Sequence, residues 1–253
     1  MSKIAIIGGS VLPKLYDFEA KKTELPETPF GYPTSPLQTG LFSDIEIVYL
    51  NRHGLERRTP PHKINYRANM WALKEVGVDI VIGLSVVGGI RSDMVPGHFV
   101  FPDQLIDYTY DRPSTCYEDN FDYTKHIDFT YPYCPLLHRM LVEAAQELAL
   151  DFTDDATYGA TQGPRFETIA EISRMERDGC DIVGMTAMPE ALLARELGMR
   201  YASIALVASK AAGRSDGLGV SLTDMKMVID NSLVQMYQLL LTVVNKIVVF
   251  ESN

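Results

Sequence analysis

The strongest constraint on the fold is an alternation. Short runs rich in Ile and Val, most of them ending in glycine or a small polar loop, alternate with segments of helical spacing along nearly the whole chain. "KIAIIGG" (3–9) reads as a buried strand that closes in a glycine turn. "IEIVYLNRHG" (45–54) and "VDIVIGLSVVGG" (78–89) repeat the pattern, and "NYRANMWALKEVG" (65–77) between them has helical spacing and stops at Gly77. Segments 97–109, 156–166, 180–189 and 200–213 predict further strands with their loops. Segments 134–150, 168–179, 190–198 and 223–248 predict helices, the last with Thr223 as its N-cap. Strand, helix, strand, helix predicts an α/β fold around a mostly parallel sheet. No repeat or long linker interrupts it, and the Pro-rich stretch "PETPFGYPTSP" (26–36) reads as a loop, so residues 1–253 are expected to form a single domain.

Composition narrows the function. With 46% hydrophobic and 22% charged residues the chain is neither disordered nor collagen-like. A net charge of -10 argues against nucleic acid as the main partner. The start, "MSKIAIIGGS", has too short an apolar run for a signal-peptide core. No run on this reading approaches the length of a membrane span, so a cytoplasmic protein with no membrane partner is expected. Cys116, Cys134 and Cys180 lie far apart without CxxC spacing, which predicts ordinary thiols in a reducing compartment and no metal site.

Against that acidic background, "NRHGLERRTPPH" (51–62) gathers three arginines and two of the chain's five histidines. It follows a strand, and α/β sheets bind ligands at the C-terminal ends of their strands. Arg52 and His53 end that strand, and an arginine fork matches a phosphate bidentately. Arg57 and Arg58 read equally well as surface residues. Other strand ends supply "GGS" with Ser10, "SVVGG" with Ser85 and "MTAMP" with Thr186. Glycine amides and hydroxyls suit a small oxyanion. Taken singly, GGS also reads as a tight turn, and each hydroxyl as a strand-end cap. Neither GxGxxG nor GxxxxGK[ST] is present, so neither a dinucleotide fingerprint nor a P-loop is expected.

The set "IIGGS", "RHG", "NYRANMWALK", "QGPRFET" and "MTAMPEALLARELGMRYASIA" resembles the trimeric purine nucleoside phosphorylases, and most of all the branch acting on 5′-methylthio nucleosides. The resemblance runs over nearly the whole chain. It implies a phosphorylase-like α/β fold with a partly barrel-like sheet, a homotrimer, and orthophosphate as a cosubstrate with no cofactor. It further implies that Ser10, Arg52, His53, Ser85 and Thr186 hold phosphate. Met185 would line the ribose and Phe166 would pack on the base. His126 would reach across a subunit boundary to the neighbour's 5′ group. Asn65, in "NYRAN", is given a structural role only. The chain departs from the family pattern at Ser10-Val11, where Gly-Thr-Gly is usual, and at Arg57, where a histidine is usual.

Two positions bear on the base. Glu167, in "RFET", stands where relatives acting on 6-oxopurines carry a glutamate and adenosine-type enzymes a serine. A carboxylate accepts the N1–H of hypoxanthine and repels the N1 lone pair of adenine. As a residue just before a helix, Glu167 also reads as a carboxylate favoured by the dipole. Ser209 and Ala211 replace the two aspartates of adenine-specific relatives. Ser209 is thus left to contact O6 or N7, and Lys210 reads as a ligand contact or a solvent-facing lysine. Met225 and Val228 fit an apolar 5′ pocket or the core of the last helix. These readings predict a pentosyltransferase that converts S-methyl-5′-thioinosine and phosphate into hypoxanthine and 5-methylthioribose 1-phosphate. The alternatives are 5′-methylthioadenosine, inosine or guanosine as substrate, or a silent nucleoside-binding protein.

Overall fold

The computed structural model describes residues 2–9, 18–56, 58–215 and 219–252. Eleven strands form one mixed sheet, with β2 (Phe18–Glu24), β3 (Leu37–Phe42), β4 (Ile45–Asn51), β1 (Lys3–Gly8), β5 (Val78–Gly89), β10 (Ile182–Gly184), β9 (Thr157–Ala160) and β7 (Gln104–Asp107) in spatial order. β11 (Arg200–Lys210) runs parallel to β5, and β6 (Phe99–Val100) and β8 (Phe152–Thr153) extend the sheet beyond it. The path ends in unpaired edges, so the sheet is open and the expected partial barrel does not close.

β1 shows why the central strands read as continuous apolar runs. Its side chains alternate between two buried layers, Ile4 and Ile6 in one and Ala5 and Ile7 in the other. A parallel strand covered on both faces has no solvent side to mark with polar residues. The first layer holds α2 (Pro135–Glu147) and α5 (Leu222–Glu251), through Leu137, Leu141, Leu239 and Val243. The second holds α1 (Tyr66–Glu75) and α4 (Ala187–Glu196), through Met70, Leu73, Ala191 and Ala194. α3 (Ile169–Arg177) covers the end of β10 through Ile172 and Met175, which pack on Val183.

Local signals placed most elements. Asn65 is the N-cap of α1, accepting from Ala68 N–H at 3.2 Å, while its Nδ2 donates to the Phe30 carbonyl at 2.7 Å; its role is structural, as expected. Gly77, at φ +84°, ends that helix in the left-handed conformation glycine favours. Three expectations change. The cap of α5 is Ser221 and not Thr223, because its hydroxyl accepts from Asp224 N–H. β2 was not expected: "FEAKKTE" is an exposed edge ribbon without hydrophobic alternation, held by its antiparallel pairing to β3 and by Phe18, whose ring packs near Tyr49. α5 is also the one described helix long and apolar enough to cross a bilayer, with a mean hydropathy of 1.6 over 18 residues. Met236, Leu240, Val244 and Ile247 account for much of that apolarity, since they fill the core.

The three cysteines are free. Burial, with Glu196 beside it, pushes the Cys116 thiol up to about 12, which keeps it protonated and inert.

Candidate functional site

A cavity of about 670 Å³ opens at the C-terminal ends of β4, β5, β10 and β11. Eight of the residues singled out in the sequence line it: Arg52, His53, Ser85, Phe166, Glu167, Met185, Thr186 and Ser209. Ser10 and Arg57 lie outside the described residues. Gly9 does approach the site. A Cβ there would stand 3.0 Å from Arg52 Nη1, so the backbone comes this close only because the residue is glycine.

The cationic segment divides by role. Arg58 is a surface residue, paired with Glu56 at 2.8 Å and 84% exposed on its side chain. Arg52 is buried. Its Nε and Nη2 donate to the two oxygens of Glu190 at 2.5 and 2.6 Å, and Nη1 donates to the Leu84 carbonyl at 2.7 Å. The Nε–Nη2 edge of the guanidinium, one of those that could grip a phosphate bidentately, is therefore taken by a carboxylate. Of five N–H bonds three are engaged by the described residues, one on each terminal nitrogen being left over. Burial alone would lower the Arg52 pKa. The adjoining Glu190 charge outweighs it and raises the pKa, so Arg52 stays a cation. His53 accompanies it, and because a carbonyl only accepts, its Nδ1 donates to Thr59 O at 2.9 Å. That bond fixes the tautomer.

The Ser85 hydroxyl is not spent on local structure. Ser85 Oγ is buried and has no hydrogen-bond partner among the described residues. Thr186 occupies the N-cap position of α4 but makes no side-chain cap bond. A buried hydroxyl without a partner is costly, and Ser85 lines the cavity beside Thr186, whose own hydroxyl neighbours that of Tyr158.

Glu167 is not the helix-capping carboxylate. α3 is capped by Thr168 and Glu171 in a reciprocal capping box. The Arg165 guanidinium and the Thr168 N–H hold Glu171 down to about 2. Glu167 sits before the cap and lines the cavity, with Oε1 accepting from Thr161 Oγ1 at 2.6 Å. Its other oxygen takes no hydrogen bond from the described residues. Lys210 turns away and donates to the Ser92 carbonyl at 2.5 Å, so it is not a lining residue. Ala211 and Ala212 line the wall beside Ser209. Met225 lines the opposite element, α5, with Ile229 and Leu233 one and two turns further along, whereas Val228 does not. His126 is exposed, edge-on to Phe121 at 5.2 Å, and does not line the cavity of its own chain.

Sequence reasoning missed two supporting residues. One is Glu190, which in "MPEALLARELG" reads as an ordinary first-turn glutamate. The only available signal was that a buried arginine needs a carboxylate. The other is Arg112, in the loop after β7. It is 9% exposed, and it donates to the carbonyls of Thr161, Gln162, Met185 and Met188 at 2.5–3.1 Å and to Gln162 Oε1. It joins the loops after β9 and β10, which carry Met185 and lead to Glu167. No local pattern marks it. Among the described residues no group of three His, Cys, Asp or Glu side chains is arranged to hold a metal ion.

Residues 3–245 match the model of the Phosphorylase superfamily. A probable S-methyl-5'-thioinosine phosphorylase of Pseudomonas syringae pv. tomato is 48% identical over 85% of this chain and 87% of its own. A 6-oxopurine nucleoside phosphorylase of Pyrococcus furiosus is 46% identical over 90% and 86%. The solved structure of a methylthioadenosine phosphorylase from Schistosoma mansoni in complex with adenine superposes with a TM-score of 0.92 at 32% identity, covering 98% of this chain and 92% of that one. With these matches across almost its full length, the chain belongs to the phosphorylase superfamily.

Proposed function

We propose that the protein is a purine nucleoside phosphorylase whose substrate is S-methyl-5′-thioinosine. One observation carries the reading: a single cavity joins three chemistries. Arg52, His53, Ser85 and Thr186 present donors suited to a phosphate oxyanion. Glu167 presents a carboxylate, the acceptor that the N1–H of a 6-oxopurine needs. Met225, Ile229 and Leu233 present an apolar stripe, which suits a methylthio group, with the Lys226–Asp230 ion pair beside it on the same helix. Relatives named as S-methyl-5'-thioinosine phosphorylases support the same substrate.

The chemistry follows from placement. Phosphate attacks C1′ as the N9–C1′ bond stretches toward an oxocarbenium-like ribosyl cation, and the bonding pair leaves with the purine. A new O–C1′ bond gives 5-methylthioribose 1-phosphate, and the purine anion takes up a proton to become hypoxanthine. Arg52, His53 and the two hydroxyls hold the phosphate oxygens for in-line attack, which lowers the barrier by positioning. Glu167 accepts the N1–H of the base and fixes its orientation, while the Ser209 hydroxyl donates to O6 or N7 in a hydrogen bond that strengthens as the leaving base gains charge and so stabilises the transition state. Met185 borders the sugar and Phe166 the base. Phosphate enters as a cosubstrate, and no cofactor takes part.

The decisive assay is hypoxanthine release from S-methyl-5′-thioinosine with and without phosphate. Release is expected only with phosphate, and kcat/KM is expected to be higher than for methylthioadenosine or inosine. Equal release without phosphate makes the protein a hydrolase, and no release with any of the three nucleosides makes it a silent binder.

The protein is further proposed to act as a cytoplasmic homotrimer. Support comes from the segment around His126, where Phe121, Tyr123 and Tyr131 are 54%, 83% and 63% exposed, an apolar excess that suits a subunit contact. Light scattering is expected to give three times the chain mass, and His126→Ala to raise the KM for the methylthio nucleoside several-fold. An active monomer, or unchanged kinetics in His126→Ala, refutes the shared pocket.

A further inference from the structure

The geometry points to Glu190 as the positioning residue of the phosphate site: it presets the Arg52 guanidinium, and Tyr201 in turn presets Glu190. The inference rests on the proposed phosphate reading and goes one layer behind it.

Four observations lead there. Glu190 is 1% exposed, on the first turn of α4, and both its oxygens face Arg52. Tyr201, on β11, donates its hydroxyl to Glu190 Oε1 at 2.8 Å, and its ring stacks on Tyr133 with centroids 6.0 Å apart. The underlying strand residue is Gly83. A Cβ there would stand 2.2 Å from the Tyr201 hydroxyl and 3.0 Å from Glu190 Oε1, so β5 is cut back to glycine where the Tyr–Glu bond crosses it. Nη1 of Arg52 is tied to Leu84 O, one residue before Ser85. The guanidinium therefore cannot swing, and its two remaining N–H bonds are aimed before any phosphate arrives. A freely rotating arginine would lose that freedom on binding.

A second consequence concerns charge. Arg52 and Glu190 together carry no net charge, so the pair acts on phosphate through oriented N–H donors and not as a free cation. Positioning and charge thus make opposite predictions for Glu190→Gln. The variant removes a negative charge near phosphate, which on Coulombic grounds alone tightens phosphate binding. It also replaces an acceptor by an NH₂ group facing the guanidinium, which releases the fork.

The test is steady-state kinetics of Glu190→Gln and Tyr201→Phe at varied phosphate and at varied nucleoside, with thermal melts of each. Glu190→Gln is expected to raise the phosphate KM by about 10- to 100-fold, as displacements near 1 Å do, while the nucleoside KM stays within about twofold of wild type. Tyr201→Phe keeps both charges and the ring, and is expected to raise the phosphate KM by a smaller factor, about threefold or more. An unchanged or lowered phosphate KM in a folded Glu190→Gln overturns the inference, as does an equal rise in both KM values. If Glu190→Gln fails to fold, Tyr201→Phe decides alone, and an unchanged phosphate KM in it overturns the inference. Arg52→Lys separates this failure from failure of the phosphate reading. A raised phosphate KM there with none in the Glu190 and Tyr201 variants sinks only the positioning role. An activity independent of phosphate in every variant sinks both.

Discussion

Arg52→Ala is expected to damage the protein twice. The first effect is on stability. Glu190 is buried against Arg52 and keeps only the Tyr201 hydroxyl when the guanidinium is gone. Removing one partner of a buried ion pair leaves an uncompensated charge and costs about 3–5 kcal/mol. A urea titration should show the midpoint falling with its slope unchanged. The second effect is on phosphate. Loss of a charge-assisted hydrogen bond costs roughly 1.5–3 kcal/mol, equivalent to an increase of about 10- to 100-fold in the phosphate KM. The nucleoside KM should move far less. The two readouts are independent. An unchanged midpoint would mean that Glu190 finds another partner or takes up a proton. An unchanged phosphate KM in folded protein would make Arg52 a core residue and remove it from the site.

Glu167→Gln is expected to change which base is preferred. Glu167 accepts from Thr161 through one oxygen, its other oxygen takes no hydrogen bond from the described residues, and the capping of α3 does not depend on it. The substitution should therefore leave the helix and the melting temperature nearly untouched. In the cavity it exchanges a pure acceptor for an amide that donates as well as accepts. The N1–H of hypoxanthine loses its charged acceptor, while the N1 lone pair of adenine gains a donor. Discrimination built on a buried hydrogen bond reaches orders of magnitude. The kcat/KM ratio of methylthioinosine to methylthioadenosine should accordingly fall by about tenfold or more. With no carboxyl group at Ser209 or Ala211, the adenine reaction should stay slow in absolute terms. An unchanged ratio, or a wild type that already prefers methylthioadenosine, would move the substrate to the adenosine branch.

The sequence by itself determined the layers and brought most of the candidate residues to one cavity. Where a segment's structure depends on its own neighbours, it was legible. The runs at 3–9 and 78–89 became β1 and β5 because Ile and Val are buried on both faces, and Gly77 ended α1 through its backbone conformation. The strand ends followed from these elements, and eight of the chosen residues line one cavity. Only the tertiary structure decided the rest, since burial and pairing are set by residues far apart in the chain. Arg52 and Glu190 are 138 positions apart, and nothing near either one says that they meet. Arg112 likewise reads as a loop cation until four distant carbonyls converge on it. β2 exists because β3 offers it hydrogen bonds, and its own side chains carry no period to announce it. Glu167 and Glu171 are both glutamates beside one helix start, and only the three-dimensional arrangement made one a cap and left the other facing the cavity. Local sequence encodes propensity and period. Which charge is paired, and which is left for a ligand, depends on contacts between elements that only the folded chain brings together.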